Sequence, residues 1–105
     1  MQNRTMRLIV LFDLPVETKK QRKDYTDFRK FLIENGFLMM QYSVYVRITR
    51  NWDDLNKFIK RVENNLPPEG EVRCLPVTDK QFASMKLLKG KKKEIDNSAD
   101  DLIEL

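Results

Sequence analysis

Residues 6–15 read MRLIVLFDLP, an apolar run from Leu8 to Phe12 that stops at one carboxylate, Asp13, just before Leu14 and Pro15. So short a run, followed at once by a turn signal, suits a strand buried on both faces. Asp13 is then delivered at the strand's carboxyl end, where open α/β sheets commonly place their sites. An aspartate before a proline turn can also do no more than accept hydrogen bonds from nearby backbone N–H groups. What favours a functional role is the next segment, helical by pattern and basic where a helix is ordinarily acidic.

Thr18 and Gln21 form a T-x-x-Q capping box, and Tyr25, Phe28, Phe31 and Leu32 repeat at helical spacing until Gly36 offers a left-handed stop. The aromatic stripe is read as core, since it faces the sheet when the helix packs. Lys19, Lys20, Arg22 and Lys23 crowd the first turns, against the positive end of the macrodipole. There the N–H groups, the dipole and the side chains all attract one anion, which makes the cluster a candidate phosphate site. The alternative is a solvated face with Asp24 and Asp27 as ion-pair partners.

After Gly36 comes FLMMQYSVYVRIT, with Val44, Val46 and Ile48 on one face and Ser43, Tyr45, Arg47 and Thr49 on the other. It predicts two short strands joined by a tight turn, or one long bent strand. Asn51 caps a second helix with Asp53 and Asp54 in its first turn and Leu55, Phe58, Ile59, Val62 and Leu66 on one face. Asn64 to Gly70, with Pro67 and Pro68, ends it. Glu71 to Thr78 is a further strand, restricted by Pro76 to an edge, a bulge or the place where pairing changes partner. Thr78 and Asp79 cap a short helix expected over Lys80 to Leu88; Gly90 and Lys91 to Lys93 break the pattern, and Asp101 to Leu105 alternates like a strand.

Strand, helix, strand, strand, helix, strand is the split βαβ unit: an α+β, ferredoxin-like sandwich with both helices on one face of the sheet. The expected division is a ferredoxin-like domain over 1–78 and a C-terminal helix and strand extension over 79–105. The terminal strand has no obvious slot in its own sheet and is expected to pack on the edge of a partner protomer.

At 105 residues the chain is one domain, small enough that a second copy would help it bury surface, so a homodimer is expected. It has no apolar run long enough for a membrane span or a signal peptide, so no membrane partner and a cytoplasmic location are expected. One cysteine, Cys74, and no histidine exclude a disulfide framework, a Cys/His zinc site and a Ser-His-Asp triad. Cys74, in step with Val72, is a small core residue. An enzyme built from this chain works with carboxylates, cations, hydroxyls and a metal.

The net charge of +4 is unevenly spread: residues 1–50 carry ten Lys/Arg against five Asp/Glu, and residues 51–105 carry ten against eleven. The first half supplies the positive field, which favours a polyanionic partner. For backbone phosphate contacts the charge placement nominates Lys19, Lys20, Arg22 and Lys23, then Arg47 and Arg50, then Lys91 to Lys93.

Taken together, Phe12-Asp13-Leu14-Pro15, the basic helix ending at Gly36-Phe37, Gln41-Tyr42-Ser43-Val44-Tyr45 and Thr78-Asp79-Lys80-Gln81-Phe82 resemble the CRISPR-associated protein two family. The likeness covers nearly the whole chain, and its long carboxyl tail is most similar to type II members. The resemblance implies a small dimeric subunit of CRISPR adaptation. Its dimer binds duplex DNA and bridges dimers of the integrase subunit, CRISPR-associated protein one, which carries out the insertion of new spacers into the array.

Family members are also described as metal-dependent endonucleases on RNA or duplex DNA, with the strand-end aspartate of each protomer holding one Mg²⁺ across the two-fold axis. Asp13 matches that position, as catalytic residue and metal ligand. Mg²⁺ takes oxygen ligands and keeps several waters, so a symmetric pair of aspartates would supply two of its ligands. No second acid accompanies Asp13 in D-x-D or D-x-x-E spacing, and Glu17 is the nearest help in sequence. Ser43 and Tyr45 are candidate site-lining hydroxyls whose competing role is cross-strand packing.

Other readings share the topology. A single-strand RNA binder of the RRM kind requires an RNP1 pattern, and Tyr42 to Arg47 lacks its Arg/Lys-Gly start and stacking aromatics. A toxin-type ribonuclease on the same dimeric fold would share Asp13. A plain interaction module would leave the basic cluster merely solvated.

Overall fold

The architecture follows from how β1 (Met6–Asp13) is buried. In a computed structural model, which describes residues 4–91, its residues from Met6 to Val10 and Phe12 are buried, Leu11 is half-buried and Asp13 is exposed. Alternation sends Met6, Leu8, Val10 and Phe12 to one face of the sheet and Arg7, Ile9, Leu11 and Asp13 to the other. Both faces of this strand are covered, which is why its sequence reads as a continuous apolar run.

The first face receives α1 (Lys19–Glu34) and α2 (Trp52–Glu63), whose Phe28, Leu32, Leu55, Phe58 and Val62 close a core with Leu8, Val10, Phe12, Phe37 and Tyr45. Each such side chain removed from water contributes about 1.5–3 kcal/mol before the entropy of ordering is counted. The expected capping box is present, with the Thr18 hydroxyl accepting from Gln21 N–H and the Gln21 side chain accepting from Thr18 N–H. Asn35 caps the other end, and Gly36 takes the left-handed conformation at φ +83°.

β2 (Leu38–Gln41) and β3 (Val44–Thr49) are separate strands, so the tight-turn alternative holds, with Ser43 at the turn in the left-handed region (φ 63°). With β4 (Glu71–Thr78) they form one antiparallel sheet in the order β2-β3-β1-β4, the ferredoxin-like arrangement. β4 is an edge strand, as Pro76 requires. The other edge, β2, is interrupted by a register shift between Met39 and Gln41.

The second face is covered by a single turn and a half of helix, α3 (Asp79–Ala83), whose Phe82 packs on Ile9 and Val46. Arg7 is buried beneath it, its guanidinium 4.2 Å from the Phe82 ring centroid and its Nε donating to Asp79 at 3.2 Å. A charge in the central strand is thus neutralised by the helix that covers it. No described helix is long and apolar enough to cross a membrane.

Two expectations need correction. The last helix ends at Ala83 rather than Leu88: Ser84 caps it, its hydroxyl donating to the Gln81 carbonyl, and Met85, Leu87 and Leu88 are exposed with no sheet left to bury them. Leu66 is not on the buried face of α2. Asn64 caps that helix, Asn65 returns its side-chain N–H to the Arg61 carbonyl, and Leu66 lies beyond, exposed. The strand expected over Asp101 to Leu105, like Lys92 and Lys93, lies outside the described residues.

Candidate functional site

Asp13 stands exposed at the end of β1, as its position after the apolar run required. The residue before it is a packing hub: the Phe12 ring lies 5.2 Å from Phe28, 5.8 Å from Tyr45 and 5.9 Å from Tyr25, centroid to centroid. Phe12 N–H also donates to the Ser43 carbonyl at 3.1 Å, tying the β2–β3 turn to the same strand end. Tyr45 is therefore buried support for the aspartate, its ring in the core, rather than a site-lining hydroxyl. Ser43 contributes its carbonyl to the frame.

Two residues of this end escaped the sequence reading. Glu71 is the direct antiparallel partner of Asp13, so the two carboxylates rise side by side on one face. Glu71 is held by Arg73, Nη1 to Oε1 2.8 Å. Gly70, at φ +91°, packs against the backbone of Asp13 and Leu14; a Cβ on it would stand 2.5 Å from the Asp13 carbonyl oxygen. Neither relation could be read from local spacing, because cross-strand register is set by the long connection through α1, the hairpin and α2. Glu17 lies at the entrance to α1, its N–H donating to Gln21 Oε1.

Among the described residues no three His, Cys, Asp or Glu side chains converge on a point that could hold a metal ion. The oxygen donors at this end suit Mg²⁺ by type, but one chain offers too few of them. Asp13 shares its face with Leu38, Ile48 and Leu75, exposed apolar side chains that flank Ile9 and Val46.

The basic cluster of α1 is only partly free. Lys20 pairs with Asp24 at 2.9 Å and Lys23 with Asp27 at 2.8 Å, each one turn on, the arrangement the solvated-face alternative describes. The hydrogen bond from Lys23 to Asp27 raises the lysine's pKa. Arg22 is turned to the chain entering the helix, Nη1 donating to the Val16 and Glu17 carbonyls. Lys19 is exposed, as are Lys20, Arg22 and Lys23, so all four still present charge to solvent around the helix start.

Arg50 lies near Asp54, which accepts from its backbone N–H at 3.0 Å and lies 3.5 Å from Nη2. That backbone donor first, then Lys57 and the Arg50 side chain, hold the Asp54 carboxyl down at about 2. Arg47 points to the helix layer, stacked on Phe58. Cys74 is half-buried against the helix-side core; burial, and then Glu63, push its thiol pKa up, as suits a packing residue.

The family model described as CRISPR associated protein Cas2 matches residues 6–85, from the first residue of β1 to just past α3. The chain belongs to the Cas2 family. A Cas2 relative from Ligilactobacillus salivarius, named a CRISPR-associated endoribonuclease, is 52% identical over 99 residues, which is 93% of this chain and 98% of that one. Relatives of the same name from Acidovorax ebreus and Treponema denticola are 55% and 48% identical, covering 81% and 84% of this chain and 83% and 87% of their own. The Cas2 match includes the strand end, the basic helix start and the Phe82 cover.

Proposed function

We propose that this chain is a homodimeric subunit of CRISPR adaptation that binds duplex DNA along its backbone and bridges dimers of the integrase subunit, CRISPR-associated protein one. We further propose that its two Asp13 carboxylates share a Mg²⁺ ion for endonucleolytic cleavage of RNA or DNA. The observation that carries the reading is the placement of Asp13 on the sheet face whose exposed Leu38, Ile48 and Leu75 need covering. A second copy packed there would bury those side chains and bring two strand-end carboxylates together, supplying the donors that one chain lacks. Of the extension over 79–105, α3 already lies on its own sheet, so only the part that follows it would pack on the partner protomer.

When bound, Mg²⁺ supplies charge stabilisation on a phosphate oxygen and a more acidic water. The chain's own part is to hold Asp13 rigidly, through Phe12 and Gly70, and to place Glu71 beside it as a second acceptor. Lys19, Lys20, Arg22 and Lys23 add a positive field at the same end of the sheet, with Arg47 and Arg50 farther away. The endoribonuclease name of the relatives makes RNA the first cleavage substrate to try.

The test is spacer acquisition in cells with wild type, Asp13→Ala and a Lys19→Glu/Lys20→Glu/Arg22→Glu reversal, each checked as a folded dimer. Loss with the reversal alone means a DNA platform whose aspartate is dispensable. Loss with Asp13→Ala means the metal site matters. Undiminished uptake in both would sink the adaptation reading of these residues, and transcript cleavage without any effect on uptake would favour the toxin-type ribonuclease.

A further inference from the structure

A second cationic site lies at the other end of the helix layer. Phe58, itself buried, has three cations around its ring: the guanidinium carbon of Arg47 at 4.0 Å from the centroid, that of Arg61 at 4.8 Å and Lys57 Nζ at 5.1 Å. The two guanidinium carbons are thus no farther apart than the sum of their distances to one point. Lys57 has Asp54 as its acid, but among the described residues neither arginine has a carboxylate within ion-pairing distance. Among the described residues Arg61 donates only to the neutral Asn35 Oδ1, and the Nε of Arg47 is buried without an acceptor.

Buried donors without acceptors are rare, and like charges gathered on one ring repel. Stacking occupies the flat faces of a guanidinium and, with the Nε of Arg47 buried, leaves the terminal Nη edge as the one that fits a phosphate with two parallel hydrogen bonds. Gly36 makes room for this arrangement: a Cβ there would stand 2.6 Å from Nη1 of Arg47. The seat is built from three separate elements, β3, α2 and the turn after α1, so it is fixed by the fold rather than by one flexible side chain.

Resting on the polyanion-binding reading above, we infer that Arg47 and Arg61, seated on Phe58, form a backbone-phosphate clamp distinct from the basic start of α1. Asn35, which holds Arg61, follows the last residue of that sixteen-residue helix, so the two sites are about 24 Å apart. A duplex spans that distance in about seven base-pair steps. The two sites together define a track along the helix layer, on the face opposite Asp13.

The test measures fluorescence anisotropy of a 20-base-pair duplex of arbitrary sequence with the full chain, between about 50 and 200 mM salt. Each lost phosphate contact lowers the slope of log affinity against log salt by about one, a roughly three- to four-fold change across that range. Arg61→Gln is expected to lower the slope by about one and Arg47→Gln/Arg61→Gln by about two. Arg61 is exposed and bonded only to Asn35, so its variant decides the matter even if loss of Arg47 unsettles the fold.

Unchanged slopes in both arginine variants, with a reduced slope in Lys19→Gln/Lys20→Gln, overturn the clamp and leave the polyanion reading standing. Wild type without salt-dependent duplex binding overturns both.

Discussion

Gly70→Ala is expected to be among the most damaging small substitutions at the Asp13 end, and its cost can be worked from the backbone. At φ +91° an alanine loses about 1–2 kcal/mol relative to a right-handed or extended conformation. Its Cβ would also meet the Asp13 carbonyl oxygen at 2.5 Å, Leu14 Cδ2 at 2.7 Å and Leu14 Cα at 3.0 Å. Two of those atoms are backbone and cannot swing aside, so overpacking adds about 1–3 kcal/mol. A stiffer unfolded chain returns about 0.4–1 kcal/mol. The net expectation is about 1–4.5 kcal/mol, centred near 3, a large part of a small domain's stability.

Gly36→Ala is the internal control. Its φ, +83°, is similar, but the first atom its Cβ would meet is Nη1 of Arg47, the far end of a long side chain. Displacing it leaves mainly the conformational cost, about 1 kcal/mol after the unfolded-state gain. Urea titrations of both variants and wild type give the difference directly, and each kcal/mol should move the melting temperature by about 4–8 °C. A Gly70→Ala protein within about 1 kcal/mol of wild type, or no less stable than Gly36→Ala, would refute the close-approach argument.

Asp54→Asn tests the depressed carboxyl: a folded pKa of about 2, below the unfolded value near 3.8, stabilises above the unfolded value and fades as pH falls from about 4 to about 2. Wild type should therefore exceed the variant by about 1–2 kcal/mol at pH 7, discounted for exposed Arg50 and Lys57, and by much less near pH 2; a gap that does not narrow with acid contradicts it. Arg7→Ala should cost about 2–3 kcal/mol in denaturant titrations by stripping α3 of its ion pair and ring contact, and a loss under about 1 kcal/mol would mean that the Phe82 cover holds without it. Cys74 should react with a thiol reagent far more slowly than a free cysteine at pH 7.5, reaching the free rate only in denaturant; fast labelling of the native protein would contradict its burial.

Elements whose signals are local were legible in the sequence. The Thr18 and Thr78 capping boxes, the Asn51 cap and the apolar run of β1 each specify structure within a few residues, and each is present. What could not be read depends on residues brought from far away. Glu71 reaches Asp13 only through sheet register, and Arg61 and Arg47 come near each other only because both lie over the ring of Phe58. Arg7 was hidden differently: a charged residue opening a buried strand gives no sign that a later helix will supply both Asp79 and Phe82. The Lys80 to Leu88 helix failed because apolar residues at helical spacing do not extend a helix once the surface they would cover has ended.

The two sheet edges have a consequence for how the protein behaves when crowded. An open sheet invites edge-on growth, since the edges of a sheet are templates for further strands, and among the described residues β2 and β4 are the edges here. Here β2 is broken by its register shift between Met39 and Gln41, and β4 carries Pro76, which has no N–H to offer. Neither edge is a long uninterrupted template, so runaway stacking into fibres is disfavoured even though apolar side chains lie exposed on the sheet. Straightening the bulge or replacing Pro76 would remove that protection while leaving the core untouched.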